Sequence, residues 1–152
     1  MLRKLLLFFV AISFSENSFA AELEVQFLGA STADLKNPHD LKLSIDGKYL
    51  FVSDVGNNRV VLLNPETLEF ISSFGADHQS GTHDIDFDLD GRAYIADTNN
   101  NRIAIYDIHG INAGFVGQLT ERIRGPEGVL VHPNGIVYVA GAWSNNVVAF
   151  KS

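Results

Sequence analysis

The sequence predicts an all-β chain made of three copies of one four-stranded antiparallel unit. Three observations carry that expectation. The chain repeats itself at a spacing of 44 residues, 43 in one stretch. Apolar residues alternate with polar ones inside each copy. Each copy also holds an Asp-Gly or Asn-Gly pair, the dipeptides that supply the positive φ angles of tight hairpins. His39-Asp40-Leu41 recurs as His83-Asp84-Ile85, and Asp46-Gly47 as Asp90-Gly91 and Asn134-Gly135. Asn57-Asn58-Arg59-Val60 answers to Asn100-Asn101-Arg102-Ile103.

The elements follow in chain order. Arg3 and Lys4, an apolar run over residues 5–12 and the small-x-small triplet Ser18-Phe19-Ala20 read as a signal peptide over residues 1–20. The run is well short of the roughly 20 residues that span a bilayer. The expected mature chain is therefore residues 21–152, exported to a periplasm or the exterior. It opens with a lone strand at residues 23–28, similar to an outer strand at residues 69–74.

The repeats occupy about 38–75, 82–119 and 125–152. In the first, Leu41, Leu43 and Ile45 alternate with Lys42 and Ser44 as an inner strand; in the second, Ile85, Phe87 and Leu89 alternate with Asp84, Asp86 and Asp88. Short apolar runs at residues 49–52, 94–96 and 136–140 follow the glycine turns and suit strands buried on both faces. Third strands are expected at 60–63, 103–106 and 147–150, and outer strands at 69–74 and 114–119. No helix is expected after residue 20.

Composition sets limits on function. The chain has 152 residues, 46% hydrophobic and 19% charged, which suits one folded domain with a core. A formal net charge of -7 leaves no basic surplus for phosphates, so a nucleic-acid partner is not expected. With no cysteine, disulfides, thiolate catalysis, Cys-ligated zinc and a lipoprotein anchor are excluded.

Four strands per 44-residue copy is the pattern of a β-propeller blade. Pro38-His39-Asp40-Leu41, Asp46-Gly47, Val52-Ser53-Asp54 and Asn57-Asn58-Arg59-Val60 resemble an NHL repeat, as does the second copy. The third copy, Pro126-Glu127-Gly128-Val129 onward, departs from it with Gly141 for Asp and Val147 for Arg. The resemblance implies an NHL-type propeller of three four-stranded blades, half or a fragment of a six-bladed ring. Three blades do not close a ring. Two copies, each lending its N-terminal strand to the other, would make a homodimer of six blades; the alternative is a truncated gene fragment.

His39, His83 and Glu127 share one repeat phase, near the mouth of the channel of such a fold. Two imidazoles and a carboxylate are a plausible shell for zinc or iron(II). The arrangement resembles in part the peptidyl-hydroxyglycine amidating lyases, NHL-type propellers whose zinc is held by a histidine at this phase. That resemblance implies a metal site at His39, His83 and Glu127, although one position of three is Glu and the family's catalytic tyrosine and arginine are not located. The plain alternative is a solvated channel mouth. Asp86 to Gly91 with Asp97 mimics an EF-hand loop, but strand alternation replaces the flanking helices; clustered carboxylates leave calcium as a second candidate cation. Asp54, Asp97 and the Asn-Asn-Arg sets recur in two blades, which marks them as turn-closing structure. Trp143, the only tryptophan, is a candidate anchor for a ligand or partner.

The leading functional expectation is an exported binding or scaffold module offering propeller-face loops to a protein, peptide or small ligand. The rival is a metal-dependent lyase or hydrolase working at the His/His/Glu site. The third is a fragment without independent function.

Overall fold

The computed structural model describes residues 24–151, and the expected signal peptide lies outside them. Eleven strands form three antiparallel sheets, each a simple up-and-down meander. The first holds β1 (Pro38–Leu43), β2 (Leu50–Asp54), β3 (Arg59–Leu63) and β4 (Phe70–Phe74). The second holds β5 (Thr82–Phe87), β6 (Ala93–Asp97), β7 (Arg102–His109) and β8 (Asn112–Leu119). The third has three strands only, β9 (Pro126–Val131), β10 (Ile136–Gly141) and β11 (Asn146–Lys151). The expected all-β blades are present in sequence order, with a single turn of 3₁₀ helix at Val55–Asn57 and at Thr98–Asn100.

Two expectations need correcting. The third blade is three-stranded, and the N-terminal strand expected at residues 23–28 does not form: residues 24–37 carry no strand, and Val25, Phe27 and Leu28 stand exposed. The reason is physical. A strand needs a ladder partner for its N–H and C=O groups; the outer edges of the first two sheets are taken by β4 and β8, and the open edge of β11 belongs to the third blade, at the other end of the arc from the blade that residues 24–37 lead into. The inner strands also begin about three residues before their alternating run and stop short of Ile45 and Leu89. A bulge near the start of β1 and β5 separates their first residues from the regular register.

The hairpin chemistry is as the dipeptides dictate. Gly47, Gly91 and Gly135 have φ of 71°, 87° and 85°, conformations an L side chain resists. Successive blades pack face to face, with β1, β5 and β9 meeting at the inner edge. Between blades one and two lie Phe51, Val60, Leu62, Ile85, Ile95 and Tyr106. Between blades two and three lie Tyr94, Ile103, Ile123, Val129, Val137 and Val139. Each such large side chain contributes about 1.5–3 kcal/mol on burial, so these two layers hold the arc together.

Candidate functional site

The loop that joins the second and third strands of a blade is built around one buried carboxylate. Asp54 accepts hydrogen bonds from Lys36 N (2.7 Å), Asn57 Nδ2 (2.8 Å) and Arg59 Nε (2.8 Å). Asp97 repeats the set with Ser80 N (2.7 Å), Asn100 Nδ2 (2.9 Å) and Arg102 Nε (2.6 Å). Each guanidinium reaches on to a carbonyl of the preceding segment, Asp34 O at 2.6 Å and His78 O at 2.8 Å. These residues stitch the chain that enters a blade to its central hairpin, as their recurrence implies. In the third blade Gly141 stands where the carboxylate would, and a side chain there would collide with Ser144 Oγ and Asn146 Oδ1. The register places Asn146, and not the expected Val147, at the arginine position, and Asn146 Nδ2 donates to Arg122 O at 3.0 Å in place of the guanidinium. The charged plug has been exchanged for a neutral one.

The channel mouth is framed by the starts of the inner strands. His39 on β1 and His83 on β5 meet edge to face, with ring centroids 4.7 Å apart. His83 Nδ1 lies 3.0 Å from Gly81 O and 2.6 Å from Thr98 Oγ1, while that hydroxyl donates to Pro126 O at 2.6 Å. With the hydroxyl proton committed, both neighbours of Nδ1 are acceptors, so Nδ1 carries the hydrogen. In that tautomer the lone pair sits on Nε2, the arrangement that suits a base or a ligand-binding imidazole.

Beside the histidines lies a carboxyl pair that sequence reading passed over. Asp84 Oδ1 accepts from Ile85 N (2.7 Å) and Oδ2 from Val129 N (2.6 Å). Burial, followed by the hydrogen bond with the Asp40 carboxyl, pushes the Asp84 pKa up to about 7. Asp84 therefore keeps a proton up to near neutral pH. The available signal was the His-Asp dipeptide at the head of both repeats.

Glu127 is exposed on β9. Among the described residues no three His, Cys, Asp or Glu side chains come together as a metal-holding group, so the His39, His83 and Glu127 trio is not assembled as one. Two of its three members touch. The acidic run expected for calcium is engaged elsewhere. Asp86 pairs with Lys42 Nζ at 2.9 Å and accepts from Val131 N at 2.7 Å. Asp88 accepts from Asp90 N and Arg92 N across its own turn. Trp143 lies on Gly125, where any Cβ would strike the indole, and its other side is open to solvent.

A second concavity, about 270 Å³, opens on the opposite face between the glycine turns of blades one and two. Tyr49, Phe51, Phe87 and Ile108 floor it, and Ile45 and Leu89 form its lips. Those lips are the apolar positions that the sequence placed in the inner strands.

No protein-family model and no curated protein sequence matches this chain. Solved structures do. A candidate 6-phosphogluconolactonase from Bacteroides uniformis superposes with a TM-score of 0.67 at 22% identity, over 76% of this chain and 36% of that one. The periplasmic gluconolactonase PpgL of Pseudomonas aeruginosa gives 0.63 at 16%, over 75% and 35%. A catalytically inactive virginiamycin B lyase from Staphylococcus aureus, crystallised with quinupristin, gives 0.54 at 14%, over 80% and 43%. The chain spans between a third and a half of the length of these structures. The likeness is one of fold: three consecutive blades of a β-propeller.

Proposed function

We propose that this chain is an exported, NHL-type binding module whose working face is the channel mouth, and that it takes a small hydroxyl-rich ligand, cationic or neutral. The observation that carries the reading is the mouth itself. The edge-to-face His39–His83 pair is followed in each strand by an aspartate, Asp40 and Asp84, of which Asp84 has its pKa raised to about 7, and Glu127 lies exposed on the adjoining inner strand. Carboxylates and imidazoles in this density accept hydrogen bonds from hydroxyl and ammonium groups, and their net negative field repels anions.

Titration calorimetry with glucosamine, glucose and gluconate tests it. Binding is expected to fall in that order and to vanish in the His39→Ala, His83→Ala double variant. Tightest binding of gluconate, or heats unaffected by the double substitution, would overturn the reading. Export is tested by fractionating cells that express residues 1–152; retention of full-length protein in the cytoplasm would remove that part.

A metal-free hydrolase is the second reading, favoured by one specific feature. Asp84, with a pKa of about 7, and His83, whose Nε2 makes no hydrogen bond among the described residues, are neighbours in β5 and offer an acid and a base near neutrality. The likeness to a gluconolactonase suggests a lactone ester as substrate. Hydrolysis of glucono-1,5-lactone above the solvent rate, lost in Asp84→Asn, would support it; a rate equal to buffer alone would dismiss it.

A further inference from the structure

We propose that two copies of this chain close one ring, with the third blade of each packed on the first blade of the other. The repeat supplies the argument, because it shows what each position becomes once a neighbouring blade is present. Leu41, Ile85 and Val129 share one phase on the inner strands. Ile85 and Val129 are buried by the preceding blade, at 1% and 7% exposed, whereas Leu41 is 61% exposed. The opposite face gives the same result. Val60 and Ile103 are fully buried against the following blade, while their counterpart Val147 is 74% exposed. Tyr138 and Ala140 likewise stand open where Phe51, Ser53, Tyr94 and Ala96 are buried. The free face of blade one and the free face of blade three are thus the two halves of a contact the molecule already makes twice.

A polar lock marks the same joint. Asn58 and Asn101 adopt the left-handed conformation, at φ of 54° and 55°, and each side chain accepts a backbone N–H from the next blade. The bonds are Gly81 N to Asn58 Oδ1 at 2.8 Å and Gly125 N to Asn101 Oδ1 at 2.9 Å. The third acceptor is Asn145, φ 51°, and the third donor is Asn37 N, φ 54°, forty-four residues before Gly81. Both are exposed, and neither has a hydrogen bond among the described residues. The acceptor lies on the free face of blade three and the donor on that of blade one, so a second copy satisfies both at each of two joints.

The unpaired N-terminal segment fits the remaining vacancy. Leu28-Gly29-Ala30 repeats Phe74-Gly75-Ala76 at the end of β4, and Val25 falls on Ile71. In blade one Phe74 pairs with Val60. The equivalent pairing sets Leu28 of one copy against Val147 on the free edge of β11 in the other, giving every blade four strands and covering the edge of β11. Two chains of three blades make six, inside the usual range for closed propellers. A two-fold rotation exchanges the two joints, so the interface as a whole is isologous and the assembly closes at the dimer.

The chain contains no cysteine, which makes the test clean. Sedimentation velocity of the purified chain should give a dimer. The Leu28→Cys, Val147→Cys double variant should oxidise to a species of twice the chain mass on a non-reducing gel, and each single variant should give far less of it. Asn145→Gly removes one exposed side chain and keeps φ of 51° free of strain, and should raise the dimer dissociation constant about tenfold while the fold, read by circular dichroism, is unchanged. A monomer at micromolar concentration, or a ladder of open multimers, would overturn the proposal. So would a disulfide confined to one chain.

Discussion

Removing the carboxylate of Asp97 should destabilise the protein far more than a change of that size at an exposed aspartate. The side chain is fully buried, and it accepts from the Ser80 amide, the Asn100 amide group and the Arg102 guanidinium. Asp97→Ala strands an arginine whose side chain is itself only 18% exposed. Breaking a buried pair by deleting one partner costs about 3–5 kcal/mol, because the remaining charge stays desolvated and unpaired. Each orphaned neutral donor adds about 1–3 kcal/mol unless water reaches it. A domain of this size has about 5–15 kcal/mol in total, so the variant should stand at the margin of folding. Urea denaturation followed by far-ultraviolet circular dichroism reads the midpoint, and an unchanged slope assigns the shift to stability. A loss below about 1 kcal/mol would refute the reasoning, since it would mean that the carboxylate does not hold the loop.

Other expectations are quickly stated. Ile85→Ala should cost about 2–5 kcal/mol as a cavity in the layer between blades one and two, measured by the same denaturation. Gly125→Ala should displace the Trp143 ring and force an alanine to φ of 51°; the lone tryptophan's emission should shift red, and an unmoved spectrum would contradict the packing. Asp84 binds a proton more tightly folded than unfolded, since its pKa rises from 3.8 to about 7. Its contribution to stability is therefore greatest at low pH, declines as pH rises from about 4 to about 7, and is flat above. Asp84→Asn should flatten that slope, and a slope that survives the substitution would sink the assignment.

The fold was legible because its grammar is local. The glycine turns, the period-two runs and the recurring Asn-Asn-Arg sets mark β2, β3, β6, β7, β10 and β11 to within three residues. The N-terminal strand was misread because alternation in Val25, Phe27 and Leu28 reports a willingness to pair, whereas the one outer edge left open, that of β11, belongs to the blade at the other end of the arc. The site was legible in part. A shared repeat phase brings His39 to His83, but phase says nothing of whether Glu127 reaches them. The Asp84 proton and the Nδ1–H tautomer of His83 depend on Thr98, Val129 and Pro126, residues from other strands and loops that no local motif announces.

The exchange at Gly141 has a consequence for how this architecture can vary. Two blades seal their loop with a buried Asp and Arg, and the third does so with Ser144 and Asn146, yet the strands on either side keep the same register. The plug is thus a replaceable cartridge: it must fill the space and satisfy the carbonyl of the incoming segment, but its charge is optional. Substitutions that move through both positions together should be neutral where either alone is lethal. A unit sealed from within can drift, duplicate or lose its motif without disturbing the blades beside it, and sequence likeness between such units will fade well before their shape does.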